Sequence, residues 1–213
     1  MAFNNKKGKP ALLVIAKAVQ DNKDYLSEVD GLIGDGDHGM NMNKGFSLFA
    51  DEIADRDISF TEGLDALGNL LFAKIGGSMG PIYGNIFMQM SAAGSGKEAL
   101  ETADLAAMLR SGLNALYDIV EARVGDKTLV DTLAPACEAL EGAAQRGANL
   151  KTALEEMKAA AAKGWESTKD LAAKFGRSSR LGERSRGVYD AGATSCRIIL
   201  EAMADGIIAQ TEA

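Results

Sequence analysis

At 213 residues, with 46% apolar and 25% charged side chains, the chain has the composition of one globular domain spanning 1–213 rather than of a disordered segment. Its 23 basic and 30 acidic side chains give a formal charge of −7, and the one concentrated basic stretch is short, which excludes a broad nucleic-acid footprint. Met1 to Pro10 is polar and no segment reaches about 18 uninterrupted apolar residues, so neither a secretory leader nor a membrane span is expected, and the cytoplasm is the expected compartment.

After the polar leader, Leu12, Ile15, Ala16 and Val19 recur at helical spacing, and Pro10 suits the first turn of that helix. Residues 30–45 escape the pattern, although Met42, Phe46, Phe49 and Ile53 already form a second helical stripe. Further helices are expected at about 61–75, 81–93, 102–122, 127–146, 149–174 and 189–209, a total of eight. Pro81 suits a helix start, whereas Gly94, Gly96, Gly147 and Gly176 suit helix ends or the loops after them. Pro135 falls inside a helical stretch and is expected to kink or interrupt it. Short loops between sequential helices predict antiparallel packing, hence an all-α up-and-down bundle or closed helical barrel. The two cysteines, Cys137 and Cys196, lack metal-ligand spacing and sit in apolar helical contexts, the pattern of buried reduced thiols. Trp165, the only tryptophan, belongs to the core or an interface by its helical setting.

Glycines and charged residues concentrate in two places, 30–45 and 176–192. In the first, Asp30, Asp35 and Asp37 crowd into eight residues among Gly31, Gly34, Gly36 and Gly39. Carboxylates this close repel one another unless some are protonated or a cation lies between them, and hard oxygen ligands suit Mg²⁺ or Ca²⁺. Gly34, Gly36 and Gly39 match the dinucleotide spacing G-x-G-x-x-G. That reading fails because Asp35 and Asp37 would oppose a pyrophosphate and no strand precedes them. An EF-hand fails too, since Phe46 stands where its closing Glu belongs when counting starts at Asp35. The plainest alternative is a solvated acidic turn capping the helix that starts near Met40.

Three further glycine-containing segments follow: Ile75 to Gly84, Val124 to Asp131, and Gly176 to Gly187 with Asp190 to Ser195 after it. Each combines small residues, whose amides can approach phosphate, with polar side chains, so metal loop and cradling turns together imply a metal–nucleotide site. His38, the only histidine, is either a phosphate contact or a hydrogen-bonded structural group. Among Arg177, Arg180, Arg184 and Arg186, Arg177 is expected to be functional and at least one other to face water. Asp126 and Lys127 are candidates for nothing more than a helix cap.

The combination IGDGDHGMNMNKGF, GDKT and GRSSRLGERSRG, in this order across about Leu12 to Met203, resembles the dihydroxyacetone kinase L subunit, equivalent to the C-terminal ATP-binding domain of single-chain dihydroxyacetone kinases. The resemblance implies an eight-helix barrel that binds ADP or ATP at one end through two Mg²⁺ ions held by Asp30, Asp35 and Asp37, the carboxylates on which catalysis depends. It places His38, Gly39, Met40, Asn41, Ser78 and Met79 along the phosphates and Leu129 against the base. Arg177 is placed on the nucleotide, and Asp190, Ala191 and Gly192 close the pocket. The chain departs from the family pattern at Met79 (usually Ser), Ala191 (usually Pro), and Val120 and Val124 (Gly and Pro).

By the same resemblance the ketose is held as a hemiaminal by a histidine of a separate K-type subunit. ADP stays bound and is rephosphorylated by an M-type histidine-phosphate carrier of the phosphotransferase system. The alternatives are an ATP-exchanging L subunit of an erythrulose-type kinase, a nucleotide-binding partner of a transcriptional regulator without catalysis, and a Ca²⁺-binding helical module.

Overall fold

A computed structural model describes residues 2–212. Eight helices close into a ring in the order α1 (Lys9–Asp21), α3 (His38–Ile53), α4 (Phe60–Lys74), α5 (Met79–Gly94), α6 (Thr102–Ile119), α7 (Val130–Gln145), α8 (Leu150–Ser167) and α9 (Ala191–Thr211), with α9 packed back on α1. These are the eight expected helices, and the expected antiparallel barrel is what they build. A ninth helix, α2 (Lys23–Ile33), was not expected; it sits outside the ring against α3 and α9.

The stripes read from the sequence are the core. Leu12, Ile15, Ala16 and Val19 on α1, and Met42, Phe46, Phe49 and Ile53 on α3, are all at most 1% exposed. Cys137, Cys196 and Trp165 are buried as well. Helix α4 opens on a capping box in which the Ser59 hydroxyl accepts from the Glu62 amide and the Glu62 carboxylate accepts from the Ser59 amide. A two-residue antiparallel ladder, β1 (Phe3–Asn4) with β2 (Ala99–Leu100), ties the leader to the α5–α6 loop and seats Phe3 edge-on to Phe60 at 5.2 Å. It is too short to leave a period in the sequence. Among the described residues no helix is long and apolar enough to cross a membrane.

Pro135 does not break α7, one of the two outcomes expected of it. A proline removes one helical N–H and crowds the carbonyl four residues back, here that of Asp131. That carbonyl faces Gly164 on α8, where a Cβ would meet it at 2.1 Å, so the neighbouring helix leaves the displaced oxygen its space. Three expected boundaries also move: α6 ends at Ile119 rather than 122, α7 starts at Val130 rather than 127, and α8 ends at Ser167 rather than 174.

A second close approach fixes α2 on α3. A Cβ on Gly39 would lie 2.0 Å from the Lys23 carbonyl and 2.6 Å from the Ser27 amide, both of them backbone. Gly39→Ala is therefore expected to lower the unfolding free energy by about 2 kcal/mol through overpacking. Urea denaturation reads this directly, and a curve superimposing on the parent's would mean that the two helices have slack.

Candidate nucleotide and metal site

Alternation around the ring sends the N-termini of α3, α5, α7 and α9 to one end of the barrel, where all four border a cavity of about 850 Å³. The positive ends of the dipoles of the first three face the cavity; the start of α5 has no side-chain partner, whereas the first amide of α7, that of Val130, donates to the Thr128 hydroxyl at 3.2 Å and that of α3 to Asp30. Helix α9 is capped by Asp190, whose carboxylate accepts from the Ala193 amide at 2.7 Å. An end so furnished favours anions.

On one side of this end lies the acidic loop. Asp30 stands in the last turn of α2, and Gly34 then breaks the helix; a Cβ there would strike the Asp30 carboxylate at 2.3 Å. Gly36, at φ 76°, turns the chain so that Asp35 and Asp37 come back toward Asp30. The three residues offer ligand oxygens that all lie within 4.8 Å of one another, with Asp30 half-buried and the other two exposed. Asp37 makes no capping hydrogen bond to α3, which argues against a mere helix-capping turn. The Asp30 carboxylate does accept from the His38 amide, at 3.3 Å. Three hard oxygen donors converging at a cavity edge fit magnesium, and the Arg177 guanidinium pairs with Asp35 in the same place.

His38, the next residue along, is 7% exposed, and its Nε2 lies 2.8 Å from the Ser195 hydroxyl, which in turn lies 2.7 Å from the Tyr83 hydroxyl. Burial pushes its pKa down to about 4, against the opposing pull of Asp30, so the imidazole is neutral near pH 7. Asp190 moves the other way: burial raises its carboxyl to about 6, while the Lys127 ammonium holds it down in part.

The α6–α7 loop forms the next wall. Asp126 and Lys127 do not cap a helix, as had been expected of them. The Asp126 carboxylate accepts from the Arg123 amide at 2.7 Å and from the Lys174 ammonium at 2.6 Å, which joins two loops. Lys127 is fully buried at φ 60°, and its ammonium donates to the carbonyls of Thr168 and Val188. Asp131 accepts from the Gly125 and Thr128 amides at 2.6 and 2.8 Å and so tightens the same loop.

Of the residues carried over from the resemblance, Asp30, Asp35, Asp37, His38, Asn41, Ser78, Met79, Leu129, Arg177, Asp190, Ala191 and Gly192 line this one cavity. Gly39 and Met40 do not: Gly39 is turned onto α2 and Met40 is 54% exposed. Arg180, Arg184 and Arg186 are exposed, and Arg186 pairs with Glu183. Val120 lines the cavity, whereas Val124 is 59% exposed outside it. Tyr83 and Phe175, not singled out from the sequence, also line it, as does Lys127, for which no more than a helix cap was expected. Tyr83 and Ser195 fall inside glycine segments already marked as phosphate cradles, the one signal that could have found them.

Trp165 lies just behind this end, stacked on Tyr189 at 4.1 Å, with the Arg197 guanidinium 4.2 Å from its ring centre. Its indole N–H donates to the Thr194 hydroxyl at 2.9 Å, and that hydroxyl donates to the Asp190 carbonyl at 2.7 Å.

Comparison with known proteins agrees with this picture. Residues 32–205 match the DAK2 domain family. The chain is 36% identical over 184 residues to the PEP-dependent dihydroxyacetone kinase, ADP-binding subunit DhaL, of Escherichia coli, covering 85% of this chain and 87% of that protein. It is 33% identical to the D-erythrulose kinase of Mycolicibacterium smegmatis, covering 93% of this chain but 35% of that longer protein. The dihydroxyacetone kinase from C. freundii, solved in complex with AMP-PNP and Mg²⁺, shares the fold with a TM-score of 0.71 at 21% identity. The match covers 92% of this chain and 33% of that one.

Proposed function

Because the chain belongs to the dihydroxyacetone kinase L-subunit family of phosphotransferases, we propose that its cavity holds ADP or ATP through two magnesium ions on Asp30, Asp35 and Asp37, and that the phosphoryl group passes to a ketose presented by a separate K-type subunit. The observation that carries this reading is the convergence of three carboxylates, within 4.8 Å, on the rim of a cavity of about 850 Å³ bordered by four helix N-termini.

What the cation supplies when bound is neutralisation of the charge that gathers on the phosphoryl oxygens. The chain's own groups do the rest. The open start of α5, with the positive dipole ends of α3 and α7 beside it, holds phosphate without needing the hydroxyl that Met79 lacks. Neutral His38, fixed through Ser195 and Tyr83, offers hydrogen bonding at the phosphate end without adding charge. Arg177, paired with Asp35, can turn to the nucleotide once a cation takes that carboxylate.

Nothing in this site captures a ketone covalently. His38 is the only histidine, and it is buried with Nε2 against Ser195. The purified chain is therefore expected to give no dihydroxyacetone phosphorylation with Mg-ATP alone and to gain activity when a K-type subunit is added. Turnover by the chain alone, in a coupled assay, would refute the division of labour.

For the phosphoryl donor, the reading is a retained ADP recharged by an M-type histidine-phosphate carrier, supported by the E. coli relative's designation as a PEP-dependent, ADP-binding subunit. Mass spectrometry of the denatured, freshly purified protein is expected to find ADP near one equivalent, persisting through dialysis. Rapid loss of nucleotide, with exchange of free ATP, would instead favour the erythrulose-kinase-like reading that the Mycolicibacterium relative supports.

A further inference from the structure

The segment after α8 lines the cavity with Phe175, Gly176, Arg177 and Ser178, the aromatic ring and the guanidinium standing on either side of Gly176. Gly176 has φ 70° and ψ −165°, with nothing within 4 Å of where a Cβ would be, so the turn between the two is made in the open by backbone alone. Arg177 goes to the acidic side, where it pairs with Asp35.

Phe175 is held on another side. Its predecessor Lys174 is tied twice to Asp126, through its amide to the Asp126 carbonyl at 3.2 Å and through its ammonium to the carboxylate at 2.6 Å. That anchors Phe175 at the α6–α7 loop, where Leu129, Val120 and Ile119 give the cavity its apolar lining. Phe175 remains 37% exposed and Ile119 48%, so this apolar surface lacks a cover, whereas Leu129 is buried as part of the wall. A ring left partly in water on the lining of a cavity that also holds exposed aliphatic surface has the chemistry of a half-built stacking slot.

We propose that Phe175 is a nucleotide-binding residue that stacks on the nucleobase, so that the segment grips its ligand at both ends across Gly176, with the aromatic ring on the base and the Arg177 guanidinium on the phosphates. The inference rests on the nucleotide reading above and adds to it the residue that sets affinity at the base end.

Calorimetric titration of Mg-ADP, and of Mg-pyrophosphate as a probe without a base, into the parent protein, Phe175→Ala and Phe175→Tyr, each first freed of co-purified nucleotide by chelating the magnesium, tests it. Phe175→Ala is expected to raise the Kd for ADP about tenfold, the loss typical of one aromatic–base stack. Phe175→Tyr should stay within about twofold of the parent, since the ring face is kept, and all three proteins should respond alike to Mg-pyrophosphate. An unchanged ADP affinity in Phe175→Ala overturns the inference while leaving the nucleotide reading intact. Equal weakening toward ADP and pyrophosphate overturns it as well, by showing a general disturbance of the pocket. A parent protein that binds no Mg-ADP would overturn both.

Discussion

Asp37→Ala is expected to abolish magnesium-dependent ADP binding while leaving the fold as stable as before. The side chain makes no hydrogen bond to the start of α3, so its removal costs the helix nothing that the structure shows. It also lies within 4.8 Å of two other carboxylates, and deleting one negative charge relieves repulsion in the metal-free protein. For the metal the loss is of a direct ligand. Removing groups that merely orient a ligand already lowers metal affinity about 10–100-fold, so the direct loss should exceed about 100-fold. Calorimetry of ADP binding with and without Mg²⁺, alongside thermal melts, separates the two effects. Asp35→Ala should bind as poorly, and it also strips Arg177 of its partner. If Asp37→Ala still bound ADP in a magnesium-dependent way, the acidic loop would not be the cation site.

Lys127→Met should show the opposite profile, a large loss of stability. The ammonium is fully buried and donates to the Thr168 and Val188 carbonyls, which end the α8 turn and the segment leading into α9. Methionine keeps the bulk but leaves the Val188 carbonyl without a donor and the Thr168 carbonyl with only the Leu171 amide, for a cost of about 2 kcal/mol. Burial already pulls the lysine's pKa down, and nearby Asp190 counteracts part of that, so the charge is kept by its surroundings rather than by water. Lys127→Gly sharpens the test. At φ 60° glycine relieves roughly 1 kcal/mol of left-handed backbone strain, yet it removes the same donor, so a net loss is still expected. A glycine variant as stable as the parent would show that backbone strain, not the ammonium, dominates at this position. Urea midpoints for both variants are the measurement.

The barrel was legible because each ring helix carries its own stripe, and burial of Phe46 or Leu12 follows from spacing alone. Helix α2 escaped because its apolar set is thin, Leu26, Val29 and Ile33, and because it runs straight into the glycines of the acidic loop. The start of α7 differs from expectation for a related reason. Lys127, inside the expected helix, adopts positive φ, which a helical composition conceals until the partners of the loop are known. In the site, crowding of like charges made the acidic triad readable, since that signal is local. The buried chain from His38 through Ser195 to Tyr83 was not readable, because its links span 157 and 112 residues. Lys127 reaches 61 residues to Val188, and no pattern of neighbours in the sequence announces such a bond.

The position of Trp165 gives the molecule a built-in optical gauge. With a single indole in the chain, clamped between Tyr189 and Arg197 and wired through Thr194 to the backbone of Asp190, light emission at that ring should report on how α9's first turn settles when a ligand arrives. Occupancy can then be followed without a dye, in real time, from the protein's own fluorescence.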